Sequence, residues 1–194
     1  MTRAKMPALA MIGVCTALTV CAHAWAAHAS TVPLHYGSNQ LSFGPDTGAG
    51  MAVLAYRDNF NAHGFDVLTM YIKPAAASDS GDWQLVSIFD GGKEALLLTS
   101  GGGADCILHD FRLVREAAGK PLRLIVARRE PGASYADAAV VHFSYYALRH
   151  NGGGEVGFPL YYFALERESV AKAPYCDVGE AFEKELGIAP YRRR

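Results

Sequence analysis

From residue 30 onward the chain is a succession of short apolar runs broken by turn residues, and no long helical repeat interrupts them until the C-terminus. This pattern limits the fold more than any other feature, because runs of that length with Gly, Pro, Asn and Asp between them are strand signals. Residues 34–36, 40–43, 51–56 and 65–72 form the first group. Residues 83–89 and 95–98 follow, separated by Asp90-Gly91-Gly92, a hairpin-type turn. Residues 107–115, 122–127, 138–149 and 158–165 complete the series, the last two flanking Asn151-Gly152-Gly153-Gly154. Strands do not alternate with long helical patterns, which disfavours a parallel α/β sheet. The expected fold is mainly β, an antiparallel β-sandwich or meander with one short C-terminal helix.

Two segments refine that expectation. In residues 107–115, Ile107, His109, Phe111, Leu113 and Arg115 alternate with Leu108, Asp110, Arg112 and Val114. Neither face is purely apolar, so the strand is expected to be partly exposed at its ends. At the C-terminus, Asp177-Val178-Gly179-Glu180 predicts a capping box, in which Glu180 reaches back to the backbone of an Asp N-cap. Phe182 and Leu186 then share one helix face, and Gly187 stops the helix.

The first thirty residues read as an export signal. Arg3 and Lys5 precede an apolar stretch from Pro7 to Cys21, and small residues with A-x-A spacing follow. The stretch is shorter than the roughly 18–20 residues a membrane span needs. Val20, just before Cys21, is bulky for a lipoprotein box. Residues 1–29 are therefore the expected signal peptide and residues 30–194 a single β-rich periplasmic domain. No segment is expected to span the membrane after cleavage. Loss of Arg3 and Lys5 takes the formal charge from −1 to −3. That balance argues against nucleic acid or an anionic membrane as partner. Of the four cysteines, Cys106 and Cys176 survive cleavage. An even pair in an oxidising compartment predicts one disulfide, which would pin the helix to the strand beginning near Ile107.

Familiar catalytic patterns are absent. The sequence contains no G-x-S-x-G, no H-E-x-x-H and no C-x-x-C. Ser169-Val170-Ala171-Lys172 matches S-x-x-K, but it follows a strand-like run rather than opening a helix, and S-D-N and K-T-G are missing. No metal or cofactor is expected. Gly101-Gly102-Gly103-Ala104-Asp105-Cys106 lacks the Lys-Ser/Thr pair of a phosphate loop and reads as a flexible connection.

The polar segment from Arg57 to Asp66 stands out between two apolar strands. Its plain reading is an ordered hairpin loop whose Asn and Asp side chains bond to turn backbone. Its functional reading is a recognition loop, with Arg57 for a carboxylate and Asn59, Asn61 and His63 supplying donors and acceptors. A third reading is a hydrolase built on His63, Asp66 and a water.

Four blocks together resemble a known family: Asp58-Asn59-Phe60-Asn61-Ala62-His63-Gly64-Phe65; Gly103-Ala104-Asp105-Cys106 with Asp110-Phe111-Arg112-Leu113; Ser134-Tyr135-Ala136-Asp137; and Tyr175-Cys176-Asp177-Val178-Gly179-Glu180-Ala181-Phe182. They are similar to the carbapenem intrinsic-resistance (self-resistance), CarG-like proteins, over roughly residues 43–188. The resemblance implies an exported, non-enzymatic protein that protects against a β-lactam by binding it. It implies a small β-lactam as ligand; a carbapenem carries a carboxylate, so Arg57 is the expected cation, with Asn59, Asn61 and His63 around it and Tyr135 and Asp137 on the same surface. One departure is residues 44–50, where a calcium-loop-like stretch is expected and Asp46 is the sole carboxylate. Calcium takes six to eight oxygens, so the ion is not carried over. The rival to a ligand binder is an envelope structural protein with a protein partner.

Overall fold

The computed structural model describes residues 29–74, 82–102 and 105–189. The expected leader lies outside the described residues apart from Ala29. The chain first lays down β1 (Ser30–Thr31), β2 (Gly37–Leu41), β3 (Ala49–Arg57) and β4 (Phe65–Lys73). Next come β5 (Gln84–Leu85), β6 (Ser87–Asp90), β7 (Lys93–Ala95) and β8 (Leu98–Gly102). The long strands β9 (Ile107–Arg115), β10 (Arg123–Arg129), β11 (Val141–His150) and β12 (Tyr161–Val170) follow, and α1 (Val178–Leu186) closes the order. No described helix is long and apolar enough to cross a membrane.

Strands β2, β3 and β4 form one antiparallel unit. The free edge of β4 is then divided between two partners. Asp66–Leu68 pairs with Leu98–Ser100 of β8, whereas Tyr71 and Ile72 pair with Leu85 and Gln84 of β5. Strand β8 runs on to join β9, and β5 continues through Val86 into β6, which joins β12. The second sheet, β9-β10-β11-β12, is antiparallel throughout. One edge of the first sheet therefore feeds both margins of the second, as in sandwiches whose strands change sheet at the corners. The mainly β expectation with one C-terminal helix holds. Among the described residues every ladder is antiparallel except β6 with β12, which is parallel. Strand β6 reaches β12 from the β4 corner rather than by a hairpin, so the hairpin rule does not fix its direction.

The main core lies between the sheets. Alternation along β4 sends Leu68, Met70 and Ile72 inward, where they meet Phe111, Leu113, Leu124, Val126 and Phe163. A second core lies on the far face of the second sheet, where Ile125, Ala127, Val141, Phe143 and Tyr145 pack on Val178, Ala181 and Phe182 of α1. The molecule thus has three layers. The ends of β9, residues 107–109 and Arg115, are partly exposed as expected, while Asp110, 3% exposed, and Arg112, 1% exposed, are buried in mid-strand on the face that α1 covers. Arg112 Nη1 lies 2.6 Å from Asp110 Oδ2, and its guanidinium sits 4.5 Å over the Phe182 ring. Phe182 also meets Phe143 edge-on at 5.5 Å.

Asp177 caps α1 by accepting from Gly179 N–H at 2.6 Å, but the capping box is only half made. Glu180 turns outward to Lys184 at 2.6 Å, an i,i+4 pair, instead of reaching back. Gly187, at φ 66°, ends the helix, and its N–H donates to Glu183 O. Cys106 and Cys176, 70 positions apart in sequence, form the expected disulfide, with Cα atoms 5.6 Å apart. Closing such a loop stabilises the fold by about 4 kcal/mol in the chain-entropy account. Gly101 and Gly102 are not a flexible link; they belong to β8 and carry its register shift against β9. A Cβ on Gly102 would lie 2.5 Å from the backbone nitrogen of Leu108, so close strand approach explains that glycine.

Candidate functional site

The expected recognition loop joins β3 to β4, and its polar groups are mostly engaged with one another. Asp58 Oδ1 accepts from Phe60 N–H at 2.7 Å, and Asn61 Oδ1 accepts from His63 N–H at 2.8 Å. Both are side chain-to-backbone turns two residues long, the reason Asn and Asp favour such sites. Asn59 donates to His63 O at 2.7 Å and accepts from the Arg57 guanidinium, which also lies 5.3 Å over the Phe65 ring. His63 Nδ1 faces Gly102 O at 3.5 Å. Phe60 takes φ 57° and stands 95% exposed at the tip. Asp66, by contrast, is buried in β4 and accepts from Tyr36 Oη at 2.8 Å.

Tyr135 and Asp137 lie in the β10–β11 connection. Arg129, 7% exposed at the end of β10, organises that segment: its guanidinium donates to the carbonyls of Asp137, Ser134 and Pro131 and to Cys176 O. Tyr135 projects into solvent at 64% exposure. The two segments flank the β8–β9 connection, one through His63 and Gly102 and the other beside the disulfide. Among the described residues no hydrogen bond or ion pair joins Arg57, Asn59, Asn61 or His63 to Tyr135 or Asp137. Ser169 lies in β12 with its hydroxyl 3.2 Å from Tyr145 Oη, so the S-x-x-K match does not open a helix.

A concave site that sequence reading missed opens between the C-terminal end of α1 and the outer face of the second sheet. It is a cleft of about 250 Å³. Val114, Ile125, Phe143, Leu186 and Ile188 give it an apolar floor, while Arg123, Arg167 and Lys172 are its basic wall residues. Ala29, the last residue of the expected leader, also touches it. The Arg167 guanidinium lies 3.5 Å over the Tyr145 ring, a cation–π stack. The acidic wall residues are committed to protein partners. Glu116 pairs with Arg123 at 3.2 Å, and Glu185 accepts from Lys172 N–H at 3.1 Å and Tyr175 Oη at 2.8 Å. The bond to Glu185 raises the ionisation range of Tyr175. The cleft could not be read beforehand, because its walls come from segments up to 159 positions apart in sequence. Its one local signal was the alternation of Phe143, Tyr145 and Ala147 on a single strand face.

A second opening, of about 520 Å³, lies at the mouth of the sandwich beside β6, β7, β10 and β11. Asp90, Glu94, Glu130 and Glu168 line it, interleaved with Lys93, Arg128 and His142. Tyr146 Oη donates to Asp90 at 3.4 Å, and burial followed by that carboxylate raises the tyrosine's ionisation range. His142 pairs with Glu130 at 2.8 Å. Arg129 also lines this mouth, but the four carboxylates still outnumber Lys93, Arg128 and Arg129, so it has no cationic excess to draw an anion. Among the described residues no group of three His, Cys, Asp or Glu is arranged to hold a metal ion.

The fold is similar to that of a solved structure, the crystal structure of CarG, with a TM-score of 0.67 at 23% sequence identity. The likeness covers 80% of this chain and 94% of that one. No protein-family model matches the chain, and no curated protein matches it.

Proposed function

We propose that the chain is an exported, periplasmic, non-enzymatic binding protein that protects against a β-lactam, a carbapenem in particular, by sequestration. The observation that supports this reading best is the CarG-like fold over nearly the full length of that neighbour. It joins four sequence blocks that resemble the carbapenem self-resistance family. Protection by binding requires a site that holds an anionic, amphipathic molecule without attacking it. Isothermal titration of residues 30–194 with a carbapenem is the direct test. Saturable heat with no turnover of a chromogenic cephalosporin is the expected result. Heat equal to the buffer blank at millimolar ligand rejects sequestration, and sustained turnover rejects the non-enzymatic part.

A second reading, an envelope structural or interaction protein, draws on the internal bonding of the β3–β4 loop. In that case Arg57→Ala and His63→Ala lower the melting temperature while any resistance phenotype persists.

A further inference from the structure

We infer that the cleft beneath α1, rather than the β3–β4 loop, is the ligand seat, and that it takes a small amphipathic carboxylate. The inference rests on the sequestration reading for the β-lactam, but not for the cleft itself. Three features of the site point the same way. Its floor is a patch of Val114, Ile125, Phe143 and Leu186, which removes the apolar body of a ligand from water. Its basic side chains include Arg167 and Lys172, and among the described residues the Lys172 ammonium has no ion-pair partner. Its acidic side chains, Glu116 and Glu185, are already satisfied by Arg123 and by Lys172 N–H with Tyr175. An entering carboxylate therefore meets a lining in which three basic side chains outnumber two carboxylates, one of them ion-paired to Arg123.

The Arg167–Tyr145 stack adds a geometric argument. Stacking on an aromatic ring fixes the plane of a guanidinium, and a carboxylate is recognised by the N–H groups in that plane. The Tyr145 Oη and Ser169 Oγ pair at 3.2 Å extends the polar rim beside it. In the β3–β4 loop, by comparison, the guanidinium of Arg57 already donates to Asn59 and lies over the Phe65 ring. The larger mouth opposite has a floor but carries four carboxylates.

The test is an amide NMR titration of the disulfide-intact chain, residues 30–194, with three probes: 4-phenylbutyrate, its neutral amide 4-phenylbutyramide, and meropenem. The carboxylate is expected to shift amides around Val114, Phe143 and Leu186, with the neutral amide weaker by about tenfold, the loss of one charge-assisted hydrogen bond. Arg167→Gln with Lys172→Gln should weaken 4-phenylbutyrate about tenfold or more while the amide spectrum away from the cleft stays that of the folded chain. Meropenem shifting the same amides supports both the cleft and the β-lactam reading. Phenylbutyrate in the cleft with no response to meropenem retains the cleft and overturns the β-lactam. Shifts centred on residues 58–63 overturn the cleft and leave sequestration standing. No shifts with either acid overturn the cleft and the β-lactam reading together.

Discussion

Arg112 offers the sharpest test of the three-layer architecture. It is 1% exposed, ion-paired at 2.6 Å to an equally buried Asp110, bonded to Phe111 O at 2.6 Å and stacked on Phe182 of α1. Replacing it by methionine keeps most of its aliphatic volume but leaves the buried Asp110 carboxylate without that ion pair, its negative charge still held between a sheet and a helix beside the Phe111 N–H. Breaking one partner of a buried pair costs about 3–5 kcal/mol, because the remaining charge loses its compensation away from water. Against a total stability of about 5–15 kcal/mol, that is a large fraction. A domain of this size melts about 2–4 °C lower per kcal/mol lost, so Arg112→Met should fall by roughly 10 °C. Combining it with Asp110→Asn removes the stranded charge, and the double variant should recover about half of that loss or more. Urea denaturation of the oxidised protein at pH 7, with all four corners of the cycle, measures this directly. If Arg112→Met costs less than about 1 kcal/mol, or the double variant is worse than the single, then α1 does not seal that face and the three-layer argument fails.

Three further outcomes follow from particular contacts. Removing both Cys106 and Cys176 by alanine should lower stability by about 2–4 kcal/mol, read by denaturant midpoint, with amide exchange accelerating first in α1. Gly102→Ala should cost about 1–3 kcal/mol, because the new Cβ meets backbone of β9 that cannot swing aside; a neutral result would mean β8 and β9 part easily. His109 is held below its ordinary ionisation range by burial first and the Arg128 charge second, so folding favours its neutral form. The sign follows: its contribution is complete above about pH 6.5 and is lost as pH falls below that value toward the lowered folded range. His109→Gln should flatten the stability profile below pH 6.5, and an unchanged slope would remove this residue from the acid response.

Much of the architecture is written in the local order of residues. Most strand positions follow from apolar runs between Gly, Asn and Asp, although residues 34–36 lie outside any strand and residues 96–97 separate β7 from β8; the turn Asp90-Gly91-Gly92 does join β6 to β7 with both glycines at positive φ. The helix and its stop at Gly187 follow from capping chemistry and spacing. These features are legible because they depend on neighbours within a few positions. The disulfide follows from counting, since two cysteines lie beyond the expected leader. The Asp110-Phe111-Arg112 run shows the boundary. The same alternation fits a strand with one wet face and a strand covered by a helix, and nothing nearby in sequence distinguishes them. Likewise the Arg57–Asp66 segment was legible as a loop, while the bonding of its side chains to one another came only from their positions in space.

The candidate site divides the same way. Local order alone set most of the strands and where the chain turns, because backbone preference and side-chain periodicity act over short separations. Tertiary structure alone decided that β4 shares its edge between two corners, that α1 buries an arginine, and that Val114, Phe143, Arg167 and Leu186 surround one cleft. Those outcomes arise from the burial of apolar faces contributed by distant segments. Burial has no sequence period of its own, so it becomes visible only when the sheets and the helix are stacked.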